Sequence, residues 1–177
     1  LNPDGKGVHG EARTIYCDLV MSSAGWQPTV HLFSQSRGKL RWNQDILAFV
    51  PDKQLPGQKS QSVGAARGVF GIANALTDGH AAGAASARES GATGSSGAAA
   101  MAGSEPQQGA MRELWVVPSS EPVGHAGKHF IDYQNDVTAA DVMLAHREGY
   151  RSVEHLKRYT TMGMATDQGK TSNVNAL

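Results

Sequence analysis

Cysteine is nearly missing from this chain: Cys17 is the single thiol among 177 residues. One thiol makes no internal disulfide and no thiolate-held zinc or iron–sulfur centre, which fits a reducing compartment, and a cytoplasmic location is expected. Within TIYCDLVMSS it is expected to be a buried, inert thiol, because no Lys, Arg or His flanks it to stabilise a thiolate. An excess of one charge is absent too. Sixteen basic residues balance sixteen acidic ones, so no strong field points to nucleic acid or to an anionic membrane. No apolar run approaches the roughly 20 residues of a membrane-spanning helix, and the chain reads as soluble. A signal-peptide layout is lacking, the first residue is Leu1, and Leu177 falls inside what reads as a helix just begun. Both ends are expected to lie inside a larger polypeptide.

Several catalytic patterns are absent as well. GxSxG does not occur, and no Ser-His-Asp or Cys-His set assembles from the sequence. Seven histidines are scattered. His125 and His129 have the i, i+4 spacing of a helical metal pair, but Gly124 and Gly127 oppose a helix there, and no metal site is assigned. No catalytic residue is named.

What the chain does contain divides into three parts. Residues 1–90 have α/β character. ARTIYCDLVMSSAG reads as a strand or strand pair with Ile15, Cys17, Leu19 and Met21 on one face, and ILAFV reads as a second strand closed by Pro51. Residues 91–128 are a Gly/Ala/Ser-rich linker with little to bury, interrupted by a short strand near 113–118. Residues 129–177 read as a compact helical unit. Thr138 and Asp141 have capping-box spacing before AADVMLAHRE, and Gly149 is placed to end that helix in a left-handed turn. Ser152 opens a second helix, VEHLKRYTTM, which Gly163 breaks.

Two stretches are candidates for chemistry. In SVGAARGVFGIANAL, Gly64, Gly68 and Gly71 precede apolar helical spacing at Val69, Ile72, Ala73 and Leu76. Small residues there let backbone N–H groups and a positive helix end approach a phosphate, and they equally permit close packing. The second is GMATDQGKTS, residues 163–172, a glycine-punctuated loop suited to hold a cluster or a phosphate, yet without a thiol.

FIDYQNDVTAADVMLAHREGYRSVEHLKRYTTMGMATDQGKTSNVNAL resembles a stretch of the α subunit of the heterotetrameric sarcosine oxidase family, and CDLVMSSAGWQPTVHL and VGAARGVFGIANALTDGHAAGAASA resemble its pyridine-nucleotide/flavin oxidoreductase-type domain. The resemblance implies that 1–90 is the C-terminal part of an NAD/FAD-type dinucleotide-binding domain. It implies that 129–177 is a small helical domain similar to the [2Fe–2S] domain of bacterioferritin-associated ferredoxins without its cluster. Asp132, Gln134, Asp167 and Ser172 then stand where four cysteines would be, and none supplies the sulfur that iron requires. Further implied are a partial NAD site at Gly64, Ala65, Gly68, Phe70 and Ile72, and FAD and FMN in a partner β subunit. Tetrahydrofolate is expected in a C-terminal domain beyond this stretch, and γ and δ subunits as further partners. Thr171, Lys170 and Asn173 are expected near the flavin-carrying subunit. The family oxidises sarcosine to glycine with formation of hydrogen peroxide and 5,10-methylenetetrahydrofolate; this stretch is expected to supply scaffold and interface and to be inactive alone. The alternative is an electron-transfer or structural fragment of a related flavin-dependent amino-acid dehydrogenase complex.

Overall fold

A computed structural model describes every residue except 12, 22, 24, 54–57, 107, 108, 110 and 126. Parts of the expected first strand and of the linker fall outside the described residues. The chain is a small mixed α/β structure with short sheets and helices, in two compact units. One unit is Cys17–Met111; the other is Leu1–Tyr16 with Arg112–Leu177.

The Cys17–Met111 unit begins with a single helical turn, α1 (His31–Gln35), followed by an antiparallel hairpin of β1 (Leu40–Asn43) and β2 (Ala48–Pro51). Trp42 faces Phe49 across the ladder, with ring centroids 5.1 Å apart in an edge-to-face arrangement that suits the aromatic quadrupoles. Asn43 starts the connection by accepting the Asp45 N–H at 2.9 Å, as turn-favouring side chains do. Alternation along β2 turns Ala48 and Val50 inward, where with Leu47 they are buried. This is the expected ILAFV strand, shortened at its start by the turn.

Helix α2 (Ile72–Glu89) is rich in alanine, the best helix former, and none of its residues is fully buried. Segment 59–67 runs antiparallel beside it. Lys59 pairs with Glu89 at 3.5 Å, the Gln61 carboxamide donates to the Ala82 carbonyl at 3.2 Å, and the Gly64 N–H donates to Asp78 at 2.7 Å. The Gly/Ala/Ser-rich stretch after α2 then turns back along the helix. His80 Nε2 lies 2.7 Å from the Gly97 carbonyl, and Glu105 reaches the first residue of α2.

Three sequence expectations are corrected here. The run around Ile15–Met21 forms no strand, because among the described residues no ladder partner lies beside it. Its intended apolar face is open, with Ile15 70%, Leu19 74% and Met21 88% exposed. Cys17 is consequently exposed rather than buried. Residues 113–118 form a bend at Trp115–Val116 and join no sheet.

In the second unit, β3 (Phe130–Asp132) and β4 (Val137–Thr138) form an irregular antiparallel hairpin, and β4 runs directly into α3 (Ala139–Arg147). The capping box is present: the Thr138 hydroxyl accepts the Asp141 N–H at 3.3 Å, and the Asp141 carboxylate accepts the Thr138 N–H at 2.8 Å. Gly149, at φ +99°, takes the chain out of α3 in the left-handed region. Helix α4 (Val153–Thr160) follows Ser152, whose side chain makes no capping bond. Val137, Ala145, Leu156 and Met162 form the core, flanked by Ile131, Val142 and Ala176. Among the described residues no helix is long and apolar enough to cross a membrane.

Candidate functional site

The glycine turn before α2 is built by a short 3-10 helix, Gly64–Arg67. Gly64, at φ +57°, is buried, and its N–H is taken by Asp78 Oδ2 from α2 at 2.7 Å. Arg67 clamps the same carboxylate, its Nε at 2.9 Å from Oδ2 and its terminal nitrogen on Oδ1. The Arg67 guanidinium, followed by the Gly64 N–H, holds the Asp78 carboxyl below the usual carboxylate range, and Asp78 in turn raises Arg67. Gly68, at φ +86°, closes the turn against the hairpin: a Cβ there would meet Ile46 and Val50 at 2.8 Å. That is the close-packing use of glycine, a requirement that tolerates no side chain.

The remaining expected positions are dispersed around this turn. Ala65 is exposed, and Phe70 is half-buried with its carbonyl accepting from Asn74 at 3.1 Å. Ile72 directs its side chain to solvent, 64% exposed, while its N–H donates to Glu105 Oε1 at 2.6 Å. So the start of α2 attracts an anion, as helix N-termini do, and the anion is a carboxylate of the same chain. Neither Asp78 nor Glu105 stood out in the sequence. For Asp78 a signal existed: Ala75, Asp78, Ala82 and Glu89 recur at helical spacing and form the stripe that segment 59–67 lies against. For Glu105 there was none, since its partner is 33 residues away.

The second candidate is the loop after α4. Three side chains of the β3–β4 turn brace it. Asp132, only 2% exposed, accepts the N–H groups of Gln134 at 2.9 Å and Asn135 at 3.2 Å on Oδ1, and that of Gly163 at 2.7 Å on Oδ2. Gln134 Oε1 accepts both the N–H and the hydroxyl of Thr166, at 3.1 and 2.8 Å. Asn135 donates to the Thr161 carbonyl at 2.9 Å. Further along, Asp167 accepts the N–H of Gly169 at 3.1 Å and the N–H and hydroxyl of Thr171 at 3.1 and 2.6 Å. The Thr171 hydroxyl, then its N–H, holds the Asp167 carboxyl below its ordinary range.

Asp132, Gln134, Asp167 and Ser172, the four positions singled out for their missing thiols, thus belong to this loop or to the turn that fastens it. The first three accept hydrogen bonds from the backbone of the turn and the loop and from threonine hydroxyls. Ser172 is fully buried, and its hydroxyl has no partner among the described residues. Among the described residues no cluster of three His, Cys, Asp or Glu side chains is disposed to hold a metal. Of the three residues expected to face a partner, Lys170 and Thr171 are exposed, whereas Asn173 turns inward. Its carboxamide fills the space beside Gly163 and Gly169, at φ +66° and +76°, which is why both positions lack a side chain.

Comparison of the sequence with known proteins points to one family. A family profile described as the sarcosine oxidase A3 domain matches residues 126–177, which include both hairpin strands, both helices and the loop. The sarcosine oxidase alpha subunit of Corynebacterium sp. (strain P-1) is 42% identical over 171 residues, covering 95% of this chain. That of Corynebacterium sp. (strain U-96) is 42% identical over 180 residues, and that of Rhizobium meliloti (strain 1021) is 40% identical over 168, each again covering 95% of this chain. The chain spans 16–17% of the length of these relatives. It belongs to the sarcosine oxidase alpha-subunit family, as a homologue of one stretch of that subunit with the A3 domain at residues 126–177.

Proposed function

We propose that this chain serves as scaffold and interface within the alpha subunit of a cytoplasmic sarcosine oxidase, and that catalysis takes place elsewhere in the complex. The whole enzyme then demethylates sarcosine oxidatively: sarcosine, dioxygen and tetrahydrofolate give glycine, hydrogen peroxide and 5,10-methylenetetrahydrofolate. FAD and FMN reside in a β subunit, folate binds in another domain of the alpha subunit, and γ and δ subunits complete the assembly. The observation that carries the scaffold role is the bracing of the 161–171 loop. Carboxylate and amide oxygens of Asp132, Gln134 and Asp167 are committed to the loop's own N–H and hydroxyl groups. Hard oxygen donors engaged in this way hold a loop and do not hold an iron–sulfur cluster. The likeness of 129–177 to a ferredoxin-type domain that has lost its cluster is part of this reading.

Gly64, Ala65, Gly68, Phe70 and Ile72 belong to the part of the subunit proposed to hold NAD as a resident nucleotide. The donor set at the start of α2 suits a phosphate, and Glu105 competes for the Ile72 N–H. Glu105→Gln is therefore expected to increase nucleotide retention. The test is mass spectrometry of nucleotide released from the purified complex, with iron measured on the same sample. Stoichiometric NAD with no iron supports the reading. Stoichiometric iron favours the alternative, an electron-transfer fragment of a flavin-dependent amino-acid dehydrogenase complex, and absence of both leaves a purely structural role.

A further inference from the structure

Tyrosine is scarce in this chain, four residues in 177, and two of the four are stacked on each other. The rings of Tyr150 and Tyr159 have centroids 4.5 Å apart and planes 27° from parallel. The core of the A3 domain fixes both. The Tyr150 N–H donates to the carbonyl of fully buried Ala145 at 3.0 Å, which holds Tyr150 at the exit of α3. Tyr159 lies one helical turn beyond buried Leu156, on the same side of α4. Its hydroxyl donates to Glu148 Oε2 at 2.6 Å, a short charge-assisted bond. Among the described residues Glu148 has no ion-pair partner, so no cation competes with a proton for its carboxylate. The bond to Glu148 raises the Tyr159 phenol above its ordinary range, so the proton stays on the phenol at neutral pH. At 37% and 42% exposure, both rings are within reach of a small solute.

A phenol gives up an electron far more readily when its proton leaves at the same time, and a hydrogen-bonded carboxylate is placed to take that proton. Two phenoxyl radicals with overlapping rings couple through their ortho carbons. We propose that Tyr150 and Tyr159 are a site of oxidative modification, joined as dityrosine by a one-electron oxidant. Tyr159 gives an electron to the oxidant and its phenolic proton to Glu148. Tyr150 then gives an electron to a second equivalent of oxidant and its proton to water. A carbon–carbon bond forms between the rings, and the hydrogen on each coupled carbon moves to its oxygen as both phenols are restored. In all, the pair loses two protons and two electrons. The product is a covalent staple from the exit of α3 to the last turn of α4. This site stands whichever reaction the complete subunit serves.

The purified chain is oxidised with photogenerated tris(bipyridine)ruthenium(III). Dityrosine is followed by its fluorescence, and the joined peptides are identified by mass spectrometry. Tyr16, at 95% exposure the most accessible of the four tyrosines, is the internal control. The expected product is a Tyr150–Tyr159 link within one chain, formed at a rate independent of protein concentration. Tyr150→Phe keeps the stacked ring but removes one phenol, and is expected to abolish the link. Glu148→Gln keeps an acceptor oxygen that takes no proton. It is expected to slow the link about tenfold, less than for an enclosed proton acceptor because water reaches this pair. Links that favour Tyr16 or Tyr133 over the pair, a yield that rises with protein concentration, or an undiminished rate in Glu148→Gln would each overturn the proposal.

Discussion

In residues 112–177, strand β4, both helices and the turn after α4 each place a side chain in one apolar cluster, Val137, Ala145, Leu156 and Met162. Along α2, twice the length of α3, no side chain is fully buried. The same backbone hydrogen bonds make both helices, but their anchorage differs. The shorter helices are held by burial, at about 1.5–3 kcal/mol for each large apolar side chain removed from water. Helix α2 is held by alanine propensity and by exposed polar contacts at Lys59–Glu89, Gln61–Ala82 and Arg67–Asp78, contacts that typically contribute under about 1 kcal/mol each. The comparison teaches that regular secondary structure is no guide to where a chain resists change.

If that contrast is right, the largest loss comes from the loop of the A3 domain. Gly169→Ala pushes a Cβ onto the Asn173 carboxamide at a left-handed backbone position and is expected to destabilise by about 2–4 kcal/mol, read from urea unfolding. A smaller loss follows from Asp132→Ala, which strands three N–H groups, one of them on buried Gly163; about 2–3 kcal/mol is expected in the same assay. Thr138→Ala removes one half of a capping box and is expected to cost about 1 kcal/mol, with earlier loss of α3 amide protection in hydrogen exchange.

On α2 the sign reverses. A Cβ at Gly79 or Gly83 meets nothing within 4 Å, so Gly79→Ala and Gly83→Ala are each expected to stabilise by about 0.5–1 kcal/mol, seen as a higher Tm. Destabilisation by either would show that α2 lies under closer packing than its exposure indicates. The smallest effect concerns pH. Asp78 has a lowered folded-state pKa, so its contribution is present above the ordinary carboxylate range, near about 4, and is lost as pH falls through the lowered value. Arg67→Gln removes the main cause. It is expected to lower stability slightly at neutral pH, by under about 1 kcal/mol given the half-exposed guanidinium and read as a lower Tm, with the difference vanishing in acid.

Much of the A3 domain was legible beforehand because its signals are local. The capping box lies within four residues, Gly149 acts on its own turn, and the apolar spacing of α3 and α4 repeats over single turns. The loop was legible as a loop for the same reason. The contacts that brace it were not, because Asp132 finds Gly163 across 31 residues and Gln134 finds Thr166 across 32. The glycine turn shows the same limit. Gly64 and Gly68 were recognised as small, but whether they faced a phosphate or a hairpin depended on where Ile46, Val50 and Asp78 came to lie. The strand pattern around Ile15–Met21 misled, since alternation marks a face ready to pack and carries no information about the edge it pairs with.

By itself the sequence determined the capped start of α3, its glycine exit, the scarcity of thiols and the balanced charge, all properties of residues acting on near neighbours or on solvent. Tertiary structure alone decided which donors met which acceptors: Asp78 and Glu105 at the α2 turn, Asn173 between two glycines, and Asp132 at the Gly163 N–H. The reason is physical. Periodicity and capping are set over one or two helical turns, whereas a hydrogen bond between residues thirty apart exists only once the rest of the chain has brought the two groups within about 3 Å.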